Sequence, residues 1–123
     1  MNYLAHILSL ASRADITVRE TARNDMQCKA WKRARIVQIM PVRDYRAYIL
    51  ALHELFHIII PTPIKTLDKE MVAWGGAKNA AMIWTKEANQ IVMECLKSYI
   101  DYYKGDKRIK VSRDFRLFIK SLI

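Results

Sequence analysis

Three residues stand at a spacing that can do metal chemistry: His53, Glu54 and His57, within Ala51-Leu52-His53-Glu54-Leu55-Phe56-His57-Ile58-Ile59-Ile60. On a helix, positions i and i+4 share a face, so both imidazoles can reach one ion while Glu54 lies beside it. Catalytic zinc takes three protein ligands and keeps a fourth position for water, whose pKa it lowers toward neutrality. Glu54 is then placed to accept that water's proton as general base and return it to a leaving group. The plain alternative is a pair of core or surface histidines with a helix-surface carboxylate. The long apolar helix around the motif, beginning just after a strand, favours Zn2+.

A third ligand must come from another element. Glu70 is the first choice: it opens the next helix after a short connection and heads the stripe Glu70, Ala73, Ala77 and Ala81, whose small residues allow close approach to a neighbour. Asp68 is the rival, and its other reading is an N-cap. Glu87 and Glu94 read as solvated charges, and His6, near the N-terminus, is a lesser candidate that could in principle approach. Tyr45, Tyr48, Tyr99, Tyr102 and Tyr103 could donate to a developing oxyanion, although each also reads as a core or rim aromatic. Trp31, Trp74 and Trp84 read as packing residues.

The elements that position these residues follow from periodicity and punctuation. Residues 2–12 carry Leu4, Ile7, Leu8 and Leu10 at helical spacing. Ile16–Thr21 alternates and is β-branched, Asn24-Asp25 signals a turn, residues 28–33 alternate weakly, and Ala34–Met40 alternates well. Together they predict a small antiparallel sheet ended by Pro41. Asp44 caps a helix from about Tyr45 to Ile60, stopped by Pro61-Thr62-Pro63. Asp68 begins a helical segment to about Ile83, with a kink or break expected at Gly75-Gly76. Thr85 opens a further helix with the face Ala88, Ile91, Val92, Cys95, Leu96 and Tyr99, ended by Gly105-Asp106. Ser112 caps a docking helix over about 112–122. The fold class is α+β, a small sheet packed on a helical core that carries the His-Glu motif, in one domain over residues 1–123.

At 123 residues, 52% hydrophobic and 27% charged, the chain suits one ordinary folded domain. The apolar run 48–60 is too short for a bilayer span and is interrupted by His53, Glu54 and His57. The first residues lack a basic start and a small-residue cleavage site, so a cytoplasmic setting is the default expectation. Cys28 and Cys95 are isolated and read as reduced thiols. The net charge of +9 favours encounters with anions, nucleic acid among them, without naming a partner. Nothing in it reports an oligomeric state.

On these residues the chain resembles the compact gluzincin-type metallopeptidases, whose smallest members look like the ImmA/IrrE domain and related minimal zincins of phage and bacteria. The resemblance covers roughly residues 16–83, through Ile16–Thr21, Ala34–Met40, His53-Glu54-Leu55-Phe56-His57 and Glu70-Met71-Val72-Ala73. Residues 73–99, with Ala73-Trp74, Trp84-Thr85 and Cys95-Leu96-Lys97-Ser98-Tyr99, are similar to small phage-encoded metallopeptidases. It implies Zn2+ on His53, His57 and Glu70 rather than Asp68, with Glu54 catalytic, a protein or peptide substrate, and the host cytoplasm as setting if phage encoded. Trp74 stands where the group often has Asp or Asn, a hydrogen-bond partner for a ligand histidine. Phe56 stands where the group often has Gly. Two other classes remain open: a non-catalytic regulator or binding module using its basic surface on nucleic acid or a host protein, and a domain pinned by structural zinc.

Overall fold

Three helix starts are set by side-chain oxygens that accept from otherwise unpaired backbone N–H groups. In the computed structural model, which describes residues 2–22, 28–60, 66–102 and 111–123, Asn2 Oδ1 accepts from Ala5 N at 2.9 Å, Asp44 Oδ1 from Ala47 N at 2.8 Å and Ser112 Oγ from Phe115 N at 3.1 Å. Each such cap contributes about 1 kcal/mol. The elements are α1 (Tyr3–Arg13), β1 (Thr17–Glu20), β2 (Lys29–Trp31), β3 (Ile36–Ile39), α2 (Tyr45–Ile59), α3 (Thr66–Ala80), α4 (Lys86–Tyr102) and α5 (Arg113–Ser121), an α+β architecture. The turns expected at Asn24-Asp25, Pro61-Thr62-Pro63 and Gly105-Asp106 lie outside the described residues. Among those described, no helix is long and apolar enough to cross a membrane.

The sheet is mixed rather than wholly antiparallel, with strand order β1-β3-β2. The weakly alternating stretch is itself a strand: β2 pairs antiparallel with β3, Trp31 opposite Ile36 and Lys29 opposite Gln38. That hairpin occupies one edge of β3 and leaves the other to β1, which runs parallel to it with Thr17 beside Ile36 and Glu20 beside Ile39. Arg35 turns the hairpin at φ 51°, a left-handed conformation uncommon for a residue with a side chain. Its guanidinium donates to the carbonyls of Ala14 and Asp15, which ties the hairpin to the end of α1.

Helix α2 runs through the middle of the domain, with Tyr48, Ile49, Ala51, Leu52 and Leu55 wholly buried. The inner face of β3, Val37 and Ile39, joins the same core with Ile7 and Ala11 of α1, Val92 and Leu96 of α4, and Phe115 of α5. From α3 come Ala73, Trp74 and Ala77.

Helix α3 continues unbroken through Gly75-Gly76, where a kink or break was expected. A Cβ at Gly76 would lie 2.5 Å from Phe56 Cδ1 and 2.6 Å from Ile60 Cδ1, so the bare backbone lets α3 lie against α2. Gly75 faces open space. The helix ends at Ala80, short of the expected Ile83, because two α2 hydroxyls take over the backbone beyond it. Met82 N donates to Tyr48 Oη at 2.9 Å, Thr85 N donates to Tyr45 Oη at 3.1 Å, and that hydroxyl donates to the Ile83 carbonyl at 2.9 Å. Asp68 is not the N-cap: α3 begins at Thr66, and Asp68 sits in its first turn, where a negative charge suits the helix dipole. Its Oδ1 accepts from Ser112 Oγ at 2.8 Å, fastening α5 to α3.

Candidate metal centre

His53 and His57 leave α2 one turn apart, and Glu70 reaches them from the first half of α3. Nε2 of His53 lies 2.7 Å from Glu70 Oε2 and 2.9 Å from His57 Nε2, which lies 3.3 Å from Glu70 Oε1. One ligand atom from each of the three residues falls within 4.8 Å of the others, so the group could hold a metal ion.

Hydrogen-bond accounting supports that fit. If the His53 Nε2 hydrogen points at Glu70, it cannot also lie along the 2.9 Å approach to His57. If His57 donates to His53 instead, the His53 nitrogen turns a lone pair on the Glu70 carboxylate at 2.7 Å. No pair of tautomers makes both short approaches favourable, whereas a cation at their common point does. Two neutral imidazoles and one carboxylate also form a donor set that suits zinc and its neighbours in the transition series.

The electrostatics divide two carboxylates of one site. Burial works against the charge on Glu70, but hydrogen bonding to His53 and His57 outweighs it and holds the carboxyl at about 2. Glu54, on α2 between the histidines, does not join the converging set; its Oε1 is 3.6 Å from His53 Nδ1. Burial raises its carboxyl to about 7, with the Glu70 charge pushing the same way and His57 opposing. Burial lowers His53 against the pull of Glu70. For His57 burial also works downward, but its hydrogen bond to Glu70 and the charges of Glu70 and Glu54 raise it on balance.

Trp74 covers the ring of His53. The indole and imidazole are parallel within 2° at a centroid distance of 3.9 Å, and Trp74 is fully buried. Its Nε1 has no hydrogen-bond partner among the described residues. This stack was not read from sequence, although Trp74 follows Glu70 by four positions and therefore shares its helix face.

The other candidates lie elsewhere. Asp68 is tied to Ser112, and exposed Glu94 pairs with Arg46 at 3.1 Å. Glu87 is exposed on α4. His6 Nδ1 is 2.7 Å from Tyr48 Oη, whose ring stacks on Tyr3. Tyr45 and Tyr48 are engaged with the 81–85 segment rather than facing the site, and Tyr99 is half-buried on α4. Tyr103 and the Tyr102 side chain lie outside the described residues. Trp84 Nε1 donates to Asn89 Oδ1 at 2.7 Å. Cys28 and Cys95 are free and half-buried. Burial pushes both thiols up, Cys95 to about 11, so neither offers a thiolate near neutral pH. A surface cleft of about 720 Å³ lined by Lys86, Asn89, Met93, Glu94, Leu122 and Ile123 shares no residue with the site.

Comparisons with protein-family models, curated proteins and solved structures find no match. Residue roles therefore rest on this chain's own geometry.

Proposed function

We propose that this chain is a small zinc-dependent peptide hydrolase, with His53, His57 and Glu70 holding the ion and Glu54 acting as general base. The observation that carries this reading is the convergence of one ligand atom each from His53, His57 and Glu70 within 4.8 Å, with the Glu54 carboxylate beside them and outside the set. Glu70 is held ionised at about 2 and converges with two imidazole nitrogens, while Glu54 beside them is held at about 7, outside the ligand set. A general base works best with a pKa near the operating pH, and divergent carboxylates in one site mark separate roles.

Zinc, when bound, supplies Lewis-acid polarisation of a carbonyl and acidifies water. The protein's part is to hold and orient. His53, His57 and Glu70 would hold the ion between α2 and α3, and Trp74, stacked on the imidazole, fixes the plane of His53. Glu54 takes a proton from the attacking water at its carboxylate and delivers it to the leaving nitrogen. The side chains of Glu54 and His57 keep 19% and 20% of their surface exposed, against 6% for Glu70, which supports approach of a substrate from their side. The resemblance of the motif and of Glu70-Met71-Val72-Ala73 to compact gluzincins supports a peptide bond as the target.

Metal content of protein purified without added zinc tests the site against a His53→Ala/His57→Ala variant; equal bound metal in the two would sink it. Glu54→Gln should retain the metal and lose peptide hydrolysis. A second reading has the ion as a structural pin between α2 and α3, favoured by the burial of His53 and Glu70 beneath Trp74. Under that reading chelation unfolds the chain, and the native protein, fully loaded, hydrolyses no peptide.

A further inference from the structure

On the outer side of the sheet, exposed side chains form a pattern the core does not use. Alternate residues of a strand point to opposite faces, and laterally paired residues share one. Val37 and Ile39 are wholly buried, so Ile36 and Gln38 point outward, as do their register partners. One outer row is Thr17–Ile36–Trp31 and the next is Arg19–Gln38–Lys29. Thr17, Arg19 and Lys29 are exposed, as is Arg33 in the β2–β3 turn, and Trp31 leaves 42% of its surface in solvent. No carboxylate stands in either row. Arg35 is excluded from this set, because its guanidinium is engaged by the Ala14 and Asp15 carbonyls.

A single exposed apolar side chain is ordinary. Here a large, partly exposed aromatic ring shares the outer face with the exposed cations Arg19 and Lys29, with Arg33 exposed in the adjoining turn, and neither outer row holds a carboxylate.

We propose that this face binds single-stranded nucleic acid, with Trp31 stacking on a base and Arg19, Lys29 and Arg33 meeting the phosphates. Rows on neighbouring strands set Arg19 and Lys29 roughly 10 Å apart on either side of β3, so a strand can be gripped at both edges of the sheet. The net charge of +9 attracts any polyanion. The indole discriminates between them: stacking needs a base with an open face, which a duplex hides within its own stack. The proposal is independent of metal binding.

The test is fluorescence anisotropy with a labelled oligothymidylate of about 12 nucleotides and a duplex of equal length, over a salt series of about 50 to 200 mM. Trp31→Ala should weaken single-strand binding roughly 5- to 150-fold, and Trp31→Phe should retain most of it. Arg19→Ala/Lys29→Ala should flatten the log–log salt slope by about 1.4, at about 0.7 per phosphate contact. The control Lys86→Ala/Lys97→Ala removes two exposed α4 cations and should leave the Trp31-dependent binding in place. Binding should quench part of the tryptophan emission in the native chain and not in Trp31→Phe, since Trp74 is buried in the core and Trp84 is half-buried and bonded to Asn89 at the start of α4, off the sheet. All substituted positions are exposed, so unchanged circular dichroism is expected for each variant. The proposal is overturned if Trp31→Ala binds the oligothymidylate as tightly as the native chain, or if duplex binds as tightly as single strand throughout the series.

Discussion

Glu54→Gln should stabilise the metal-free protein at pH 8. Burial raises this carboxyl from 4.5 to about 7, so folding at alkaline pH places an ionised carboxylate where ionisation is disfavoured. A group whose folded value is raised contributes no penalty below its unfolded value; the penalty grows as pH rises and is complete above about 7. At 1.36 kcal/mol per pH unit, the interval bounds it at about 3 kcal/mol, and the side chain's 19% exposure makes the realised gain smaller. Glutamine keeps the shape without the charge. Glu70→Gln should have the opposite sign. Its carboxyl is depressed from 4.5 to about 2, so its stabilisation, up to about 3 kcal/mol by the same conversion, is present above pH 4.5 and is lost as pH falls toward 2. Urea unfolding in the presence of a chelator reads Glu54→Gln at about pH 5 and pH 8, and reads Glu70→Gln at about pH 8 and pH 3, if the slope m is unchanged. A Glu54→Gln variant less stable than native at pH 8, or shifted equally at the two pH values, would refute the opposed-carboxylate account.

Three further outcomes follow from packing. Trp74→Phe should cost well under the about 3–5 kcal/mol of a truncation to alanine, because part of the lost packing is offset by removal of a buried donor that has no partner among the described residues; urea unfolding checks it. Gly75→Ala should stabilise by about 0.4–1 kcal/mol, since the methyl enters open space on a helix, while Gly76→Ala should destabilise by about 1–3 kcal/mol through contact with the Phe56 ring. Thermal unfolding of the two single variants should move in opposite directions. Ser112→Ala should cost about 1–2 kcal/mol by removing both the α5 cap and the donor to Asp68, with early loss of amide protection in α5 under hydrogen exchange.

The part of the site set by local geometry was legible in the sequence. His53 and His57 meet because four residues make one turn, and Asp44 starts their helix by a bond three residues long. Glu70 could be chosen because an alanine stripe behind it allows close packing. What escaped was set by residues distant in the chain. The direction of β1 depends on which edge of β3 the hairpin takes, and a strand's own alternation carries no such information. The end of α3 is decided by hydroxyls of Tyr45 and Tyr48, more than thirty residues earlier. Asp68 looked like a cap until Ser112, 44 positions away, was seen to bind it. Gly75-Gly76 looked like a weakness because propensity counts the cost of a glycine and not the neighbour it admits.

That close approach at Gly76 has a consequence for how the chain can drift. The bulk at the crossing lies on α2, in Phe56 and Ile60, and the room for it lies on α3. Position 56 also lies one residue before His57, in the helix turn that carries two of the candidate metal ligands. A larger residue at 76 therefore calls for a smaller one at 56 together with a shift of the Ile60 side chain, so positions 76 and 56 are coupled in packing. Gly76→Ala combined with Phe56→Leu should recover part of the loss of the single glycine change. Variation among related sequences should accordingly couple these two positions, while Gly75, one step along the same helix, is free to vary alone.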